Sequence, residues 1–154
     1  VVHGASMSAG EIAYMRVPGG RLHERCSATS LVASVCRTKG LPAGSIDGHA
    51  VFDLLAKGDL AVAEEVAELI DALADAITNV VCVANPERIV LGGIMAQEEA
   101  LRPPLEAALR DRLPPLICEA TEIAFAATQN DAGMLGALYH FLQEHGERPD
   151  RKEM

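Results

Sequence analysis

Tryptophan is absent from this sequence, and its two Tyr and three Phe make aromatic residues only 3% of the chain. No apolar run approaches the roughly 20 residues that a membrane-spanning helix needs, so no membrane contact is expected. Lys and Arg form no cluster and the formal net charge is −9, which argues against direct contact with nucleic acid. The four Cys form no CxxC pair, which excludes a disulfide scaffold and fits free thiols in a reducing cytoplasm.

Apolar residues are plentiful enough for a core. Of the 154 residues, 49% are hydrophobic and 23% are charged, which excludes a disordered chain. A chain of this length can form one domain that buries roughly 70% of its unfolded surface. It begins at Val1 without an initiator Met, so either a tag or leader has been trimmed or the chain begins inside a larger protein.

Helices are predicted through the middle of the chain, after an irregular stretch over 1–25 with a turn at Pro18-Gly19-Gly20. Residues that can accept hydrogen bonds from backbone N–H groups mark the helix starts: Ser27 or Thr29, Asp47 and Asp59. The longest apolar stripe covers about 60–83 and serves either the core or an interface between subunits. It must end before Pro86, because proline disfavours a helical conformation in the preceding residue.

The second half alternates between helices and strands. Short strands are predicted at 88–91 and 121–127, with a helix over about 98–112 between them. Asp131 is expected to cap a last helix, whose inner face would carry Met134, Leu135, Leu138, Phe141 and Leu142. This alternation predicts an α/β fold.

Three positions stand out as candidate ligand contacts. Gly92 and Gly93 follow a predicted buried strand, where they either admit a ligand to the backbone or form a plain tight turn. Glu11 follows a glycine in the flexible opening, and its carboxylate either accepts hydrogen bonds from sugar hydroxyls or is simply solvated. Glu24 lies just before the first predicted cap and allows the same two interpretations.

Metal ligands are scarce. His23 and Cys26 form the one closely spaced pair, whereas a structural zinc site needs four nitrogen or sulfur ligands. Cys36 falls on a predicted inward helix face, so inert thiols and no zinc site are expected. His140 and His145 are predicted to lie at the surface or at an interface.

Four segments, in order along nearly the whole chain, resemble motifs of the ROK family of sugar kinases and repressors. Residues 4–15 resemble "GxxGxAGEIGHM", and residues 26–32 are similar to the "ASTTALV" helix start of a zinc-less subgroup. Residues 85–93 resemble "NPExIVLGG", and residues 131–137 resemble the closing "AxLxGAA" helix. The resemblance implies an actin-like ATPase (ribonuclease H-like) fold of two α/β lobes, in which 1–154 is the C-terminal lobe, a mixed sheet with packed helices.

The resemblance also implies functional roles. In such kinases ATP, with Mg²⁺, phosphorylates a hexose between the lobes, and glucokinase- or fructokinase-like activity is expected. Glu11 and Glu24 correspond to sugar-binding residues. Gly92 and Gly93 correspond to glycines that pack on the adenosine part of ATP, and Asp131 is expected near the nucleotide.

The departures from the family pattern carry expectations of their own. Tyr14 stands where most members have a histidine that binds sugar and zinc, and the "CxCGxxGCxE" cluster has no counterpart, so zinc is not expected. The "DxGGTK" phosphate loop and the catalytic Asp of the N-terminal lobe have no counterpart either. No catalytic residue is therefore assigned in this chain, and the chain alone is predicted to be inactive.

Two other functions compete with the kinase. One is the sugar-sensing domain of a ROK-type repressor whose DNA-binding helices lie upstream, although the zinc-less loop favours the kinase. The other is a degenerate protein that dimerises and binds nothing. The family resemblance further suggests a cytoplasmic homodimer.

Overall fold

Helices predominate in the structure, a computed structural model that describes residues 3–92, 99–128 and 131–146. Single 3₁₀ turns cover Ile12–Tyr14 and Glu99–Leu101. The strands are β1 (Arg16–Val17), β2 (Gly20–Arg21), β3 (Arg88–Leu91) and β4 (Glu122–Phe125). The helices are α1 (Leu22–Cys26), α2 (Ala28–Thr38), α3 (Gly48–Ala56), α4 (Leu60–Ala84), α5 (Arg102–Arg112), α6 (Pro115–Ala120) and α7 (Ala132–His145).

Side-chain caps fix the starts of α2, α3 and α4 as predicted. Ser27 Oγ accepts the Ser30 N–H at 3.0 Å, so α2 is capped by Ser27 and not by Thr29, which lies inside the helix. The Asp47 carboxylate accepts the Ala50 N–H at 2.9 Å. The Asp59 carboxylate accepts the Val62 N–H at 3.3 Å. Each cap satisfies a backbone donor that the first helical turn leaves unpaired.

The core lies along α4, a helix of 25 residues. Its buried side chains meet those of α2, α3 and α5, which include Leu31, Val35, Val51, Leu105 and Leu109. The helix ends where expected, at Asn85, which takes a left-handed conformation with φ 41° just before Pro86. None of the helices in the described ranges has the length and hydropathy required to cross a bilayer.

The two strands predicted in the second half are confirmed, and they pair in parallel as β3 and β4 with Arg88 opposite Glu122. Thr121 is buried and donates from Oγ1 to the Pro86 carbonyl at 2.9 Å, which ties the two strand starts together. Ile89 on β3 and Ile123 on β4 pack against the core. The carboxyl ends of both strands therefore open at one edge of the described molecule.

Short elements differ from the sequence prediction in two places. The stretch over 1–25 is not irregular throughout, because it contains the β1–β2 hairpin and α1. Helix α6, which was not predicted, begins at Pro115, just after the end of α5, since proline at a first helical position loses no hydrogen bond. The helix predicted over 98–112 begins as α5 at Arg102, with Pro103 in its first turn, and residue 98 lies outside the described residues.

Helix α7 also differs from its prediction. Asp131 makes no side-chain cap hydrogen bond. The apolar face expected to be internal is exposed, with Met134 at 72%, Leu138 at 53% and Phe141 at 59% of their full accessible areas. No described residue of α7 is buried, because nothing in the described part of the chain covers this face.

Candidate functional site

The opening loop presents Glu11 at the surface. Two backbone hydrogen bonds close the loop, one from Ala9 N–H to the His3 carbonyl at 3.0 Å and one from Glu11 N–H to the Ser8 carbonyl at 3.1 Å. Gly10 has φ +84°, a conformation that side-chain-bearing residues rarely adopt, so the turn that presents Glu11 depends on this glycine. The chain then enters the 3₁₀ turn that contains Tyr14.

The β1–β2 hairpin anchors the loop to α4. Val17 and Leu22 are buried against Ala72 and Ala76 of α4, whose small side chains allow a close approach. The turn predicted at Pro18-Gly19 joins the two strands, and Leu22 N–H donates to the Met15 carbonyl at 2.9 Å. The hairpin therefore holds α1 beside both the loop and α4.

An open groove of about 270 Å³ lies between the loop and α1. We call it the Glu11 groove. Its lining residues are Glu11, Ile12, Ala13, Leu22, His23, Cys26, Ser27 and Leu73. A shallow groove with an apolar floor and a few polar groups is suited to a small polar ligand that a second surface completes.

His23 forms one wall of the Glu11 groove. Its Nδ1 lies 2.9 Å from the Ala13 carbonyl oxygen, and its ring packs edge-on against Tyr14 with centroids 5.8 Å apart. The sequence pointed to His23 only as a zinc candidate. No motif in the sequence distinguished His23 from Glu24 as the residue that faces the groove.

Glu24, the second predicted sugar contact, lies outside the Glu11 groove. Its Oε2 accepts the Arg21 N–H at 2.9 Å and thereby satisfies a donor at the start of α1. A side chain at Gly20 would place its Cβ 2.9 Å from the same oxygen, so a larger residue there would displace the Glu24 carboxylate. Glu24 lines a separate depression between α2 and α4.

Charges in that separate depression are paired with one another. Arg25 Nη2 lies 2.6 Å from Glu68 Oε2. Glu65 accepts hydrogen bonds from Ser34 and Thr38; burial raises the pKa of this carboxyl, but those bonds help to hold it below its usual value. The depression is therefore a polar contact between helices rather than a set of free ligands.

Cys26 lies on the floor of the Glu11 groove as a protonated thiol. Burial raises its pKa to about 11; the charge of Arg25 lowers the value and that of Asp75 raises it. A thiol with this pKa is a poor nucleophile and a poor metal ligand near neutral pH. Within the described residues no three His, Cys, Asp or Glu side chains converge on a point where they could hold a metal ion.

Residues predicted to bind nucleotide lie beyond the β3–β4 edge. Gly92 follows β3 and is exposed, and apart from its chain neighbours no atom of the described residues lies within 4 Å of the position that a Cβ would take there. Gly93 lies outside the described residues. Asp131 is exposed at the start of α7 and donates its N–H to the Thr128 carbonyl at 2.9 Å. Near the same edge, the Arg102 guanidinium lies 4.2 Å from the centre of the Phe125 ring.

Solved structures of similar shape define the class of the fold. A ROK family protein from Streptococcus pneumoniae, in complex with sucrose, covers 93% of this chain and 51% of its own with TM-score 0.79 and 23% identity. A ROK family glucokinase from Streptomyces griseus, in complex with glucose and AMPPNP, matches over 88% of this chain and 52% of its own chain, with TM-score 0.72 and 17% identity. The fold is therefore the α/β, actin-like ATPase fold, as predicted.

The family assignment follows from the sequence comparison. The profile of the ROK family matches residues 20–144, most of the chain. The protein belongs to the ROK family.

Named relatives match over nearly the whole chain. An uncharacterized protein from Clostridium perfringens is 49% identical over 144 residues, which are 93% of this chain and 49% of that protein. A beta-glucoside kinase from Klebsiella pneumoniae is 32% identical over 151 residues, which are 93% of this chain and 49% of the kinase. The chain spans about half the length of the curated relatives it matches.

Proposed function

We propose that this chain is the C-terminal, sugar-binding half of an ATP-dependent sugar kinase. One observation carries the proposal: on a chain of the ROK family, the loop that resembles the family's sugar-binding motif presents Glu11 to an open groove. The relatives' names support a kinase, and they favour it over the sugar-sensing repressor. They also favour a glucoside or glucose over fructose as the phosphate acceptor.

Glu11 is the residue to which we assign sugar binding. Its carboxylate has no donor bonded to it in the described part of the chain, so both oxygens can accept hydrogen bonds from sugar hydroxyls. The apolar floor of the groove, with Leu22 and Leu73, fits the C–H face of a pyranose ring. The groove is open, and closure by a second lobe would exclude water from the reacting hydroxyl.

ATP is the proposed phosphoryl donor, bound beyond the β3–β4 edge. Among the described residues nothing blocks a close approach to the backbone at Gly92, which an adenosine group would need. Asp131 is exposed and follows β4 in the sequence. ATP supplies the phosphoryl group that is transferred to the sugar. Mg²⁺ would be held through the phosphates and the other lobe, since no acidic cluster converges in the described residues.

The second lobe is also part of the proposal. The relatives are about twice as long as the matched region, and α7 exposes Met134, Leu138 and Phe141 on one helix. We expect that lobe to cover α7 and to bring the phosphate loop and the catalytic Asp. The chain alone then binds sugar without phosphorylating it, and we place the complete kinase in the cytoplasm as a homodimer.

Sugar titration tests this proposal directly. The 154-residue chain is titrated with glucose and methyl β-glucoside by calorimetry, beside Glu11→Gln and the distant surface variant Glu87→Gln. We expect binding by the chain and by Glu87→Gln, and binding weakened roughly 10- to 100-fold by Glu11→Gln, since hydrogen bonds to a charged group are lost. In a coupled ADP-release assay the chain alone should not exceed a Glu11→Ala control.

Two results would overturn the proposal. Flat titrations with every sugar would remove the sugar-binding role and favour the degenerate protein. ADP release by the isolated chain above the Glu11→Ala control would show that no second lobe is needed.

A further inference from the structure

The β1–β2 hairpin carries two exposed arginines on its outer face. Arg16 on β1 is paired with Arg21 on β2, next to the pair formed by Val17 and Gly20. Val17 is buried against α4, and because side chains alternate between the two faces of a strand, Arg16 points away from that helix. Residues directly opposite each other on an antiparallel pair have Cβ atoms roughly 5 Å apart, so the two positive charges share one small surface.

No carboxylate in the described part of the chain neutralises these two arginines. Neither guanidinium forms an ion pair with a described Asp or Glu, whereas those of Arg25 and Arg112 do. Glu24 accepts the backbone N–H of Arg21 and does not pair with its guanidinium. Like charges directly opposite each other destabilise a hairpin, and an anion bound between them would remove the repulsion.

A series of side-chain contacts joins this arginine pair to the Glu11 groove. The Cζ atom of Arg21 lies 5.8 Å from the centre of the Tyr14 ring, over its face. The same ring meets His23 edge-on, and His23 lines the groove. The Arg21 guanidinium therefore lies one ring beyond the groove wall, where it would meet a group attached to a sugar that Glu11 holds.

The position of the hairpin argues against the phosphoryl group of ATP as the anion. The hairpin packs on Ala72 and Ala76, and Asn79 donates to the sulfur of Met15 at 3.8 Å, so the contact covers the middle and second half of α4. That half of α4 leads to the amino-terminal start of β3. ATP is proposed to bind beyond the carboxyl ends of β3 and β4, at the opposite edge of the sheet. A part of the phosphate acceptor is therefore the group that fits beside the hairpin.

We infer that Arg16 and Arg21 form an anion site beside the Glu11 groove, and that the preferred acceptor is a glucoside whose aglycone, the group on its anomeric carbon, carries a carboxylate or a phosphate. Guanidinium groups bind both oxyanions through paired N–H donors. The formal net charge of −9 repels anions elsewhere, so this preference depends on the two arginines. The inference rests on the proposed function, because Glu11 must hold the sugar ring for its aglycone to reach the hairpin.

Two glucosides that differ by one carboxylate test the anion site. Calorimetry compares phenyl β-glucoside with 4-carboxyphenyl β-glucoside on the 154-residue chain. We expect the carboxylate to tighten binding about 3- to 10-fold at low salt, as for one partly solvated charged contact, and the preference to shrink as the ionic strength rises. Arg16→Gln and Arg21→Gln should each reduce this preference, and the double variant should abolish it. Arg110→Gln, the same change at an exposed arginine on α5, should retain it.

Two further measurements test the premise and the source of the anion. Arg16→Gln removes one of two facing like charges, so urea unfolding should find this variant at least as stable as the parent chain. Glucose 6-phosphate carries its phosphoryl group on the sugar and none on the anomeric carbon, so its affinity relative to glucose should be the same for the parent chain and for Arg21→Gln.

The outcomes distinguish this inference from the proposed function. Equal affinity for the two phenyl glucosides, with both weakened by Glu11→Gln, would overturn the anion site while the sugar-binding role stands. A carboxylate preference that the double variant retains would do the same, as would a loss of stability in Arg16→Gln. Tight binding of glucose 6-phosphate that Arg21→Gln removes would assign the arginines to the product phosphate and overturn the aglycone site. Absence of binding by glucose and by both glucosides would overturn the inference and the proposed function together.

Discussion

Arg112 on α5 donates from Nε to Asp75 Oδ1 on α4 at 2.7 Å, and its Nη2 reaches Asp71 Oδ1 at 3.0 Å. One guanidinium thus joins the last turn of α5 to two successive turns of the central helix. The hydrogen bond to Asp75 is the largest cause of a raised Arg112 pKa, so the contact favours the charged guanidinium.

Replacing Asp75 with Asn should therefore destabilise the protein. The variant loses the charge that faces a partly buried guanidinium, and we expect the free energy of unfolding to fall by about 1 kcal/mol. Urea unfolding followed by circular dichroism measures this, since the chain has no Trp for fluorescence. Asp111→Asn, an exposed change on α5, is the control and should alter stability by less than about 0.5 kcal/mol. Equal effects of the two changes would contradict the prediction.

A second prediction concerns the stability that Asp59, at the start of α4, contributes and loses at low pH. The hydrogen bond from Lys39 is the largest cause that lowers the pKa of Asp59, and the Val62 N–H that it caps adds to this. A lowered pKa in the folded state means that this stabilisation is complete above the unfolded value of about 3.9 and is lost as the pH falls through the folded value.

Asp59→Asn keeps a good capping side chain and removes the charge, whereas Asp59→Ala removes both. We expect the Asn variant to be less stable than the parent chain at neutral pH. Its free energy of unfolding should also depend less on pH below about 4 than that of the parent chain. Asp59→Ala should be less stable than Asp59→Asn at every pH. Urea unfolding at a series of pH values checks both statements. A parent curve as flat as that of the Asn variant would show that the ion pair contributes nothing.

The reactivity of each thiol should follow how far the fold buries it. Cys82 is exposed, Cys36 is buried, and burial raises the pKa of Cys26 to about 11. Because the thiolate is the reactive form, iodoacetamide at about pH 8 should label Cys82 first and Cys26 far more slowly. Mass spectrometry of the digested chain over time measures the order. Labelling of Cys26 as fast as that of Cys82 would show that the hairpin and α1 do not stay packed on α4.

Local chemistry made much of the fold predictable. Ser27, Asp47 and Asp59 act within one helical turn, so each cap could be inferred from adjacent residues alone. The β3 strand was predictable because a β-branched run follows Pro86, and β4 because apolar and polar residues alternate over 121–127. Helix α6 was not predicted, because proline both ends and begins helices, and whether a new helix follows it depends on what the next turn packs against.

The site was less predictable than the fold. Glu11 could be proposed from its motif, but whether His23 or Glu24 faces the same groove depends on the rotation of α1. That rotation is set by Leu22 packing against Ala72 and Ala76, fifty residues further along the chain. An apolar pattern likewise shows that one face of α7 avoids water, without showing which surface covers it.

The exposed face of α7 allows a matched comparison with the core. The side chain of Leu105 on α5 is buried in the core, with 1% of its area exposed, whereas that of Leu138 on α7 is 53% exposed. Leu105→Ala should cost about 2 to 5 kcal/mol of the free energy of unfolding, because it removes packed methyl groups and leaves a cavity. Leu138→Ala makes the same chemical change where little is packed, and it should cost less than about 0.5 kcal/mol. Urea unfolding of the parent chain and the two variants under one set of conditions measures both losses. Similar losses would mean that α7 packs on the core of this chain, and the face would then not be open to a second lobe.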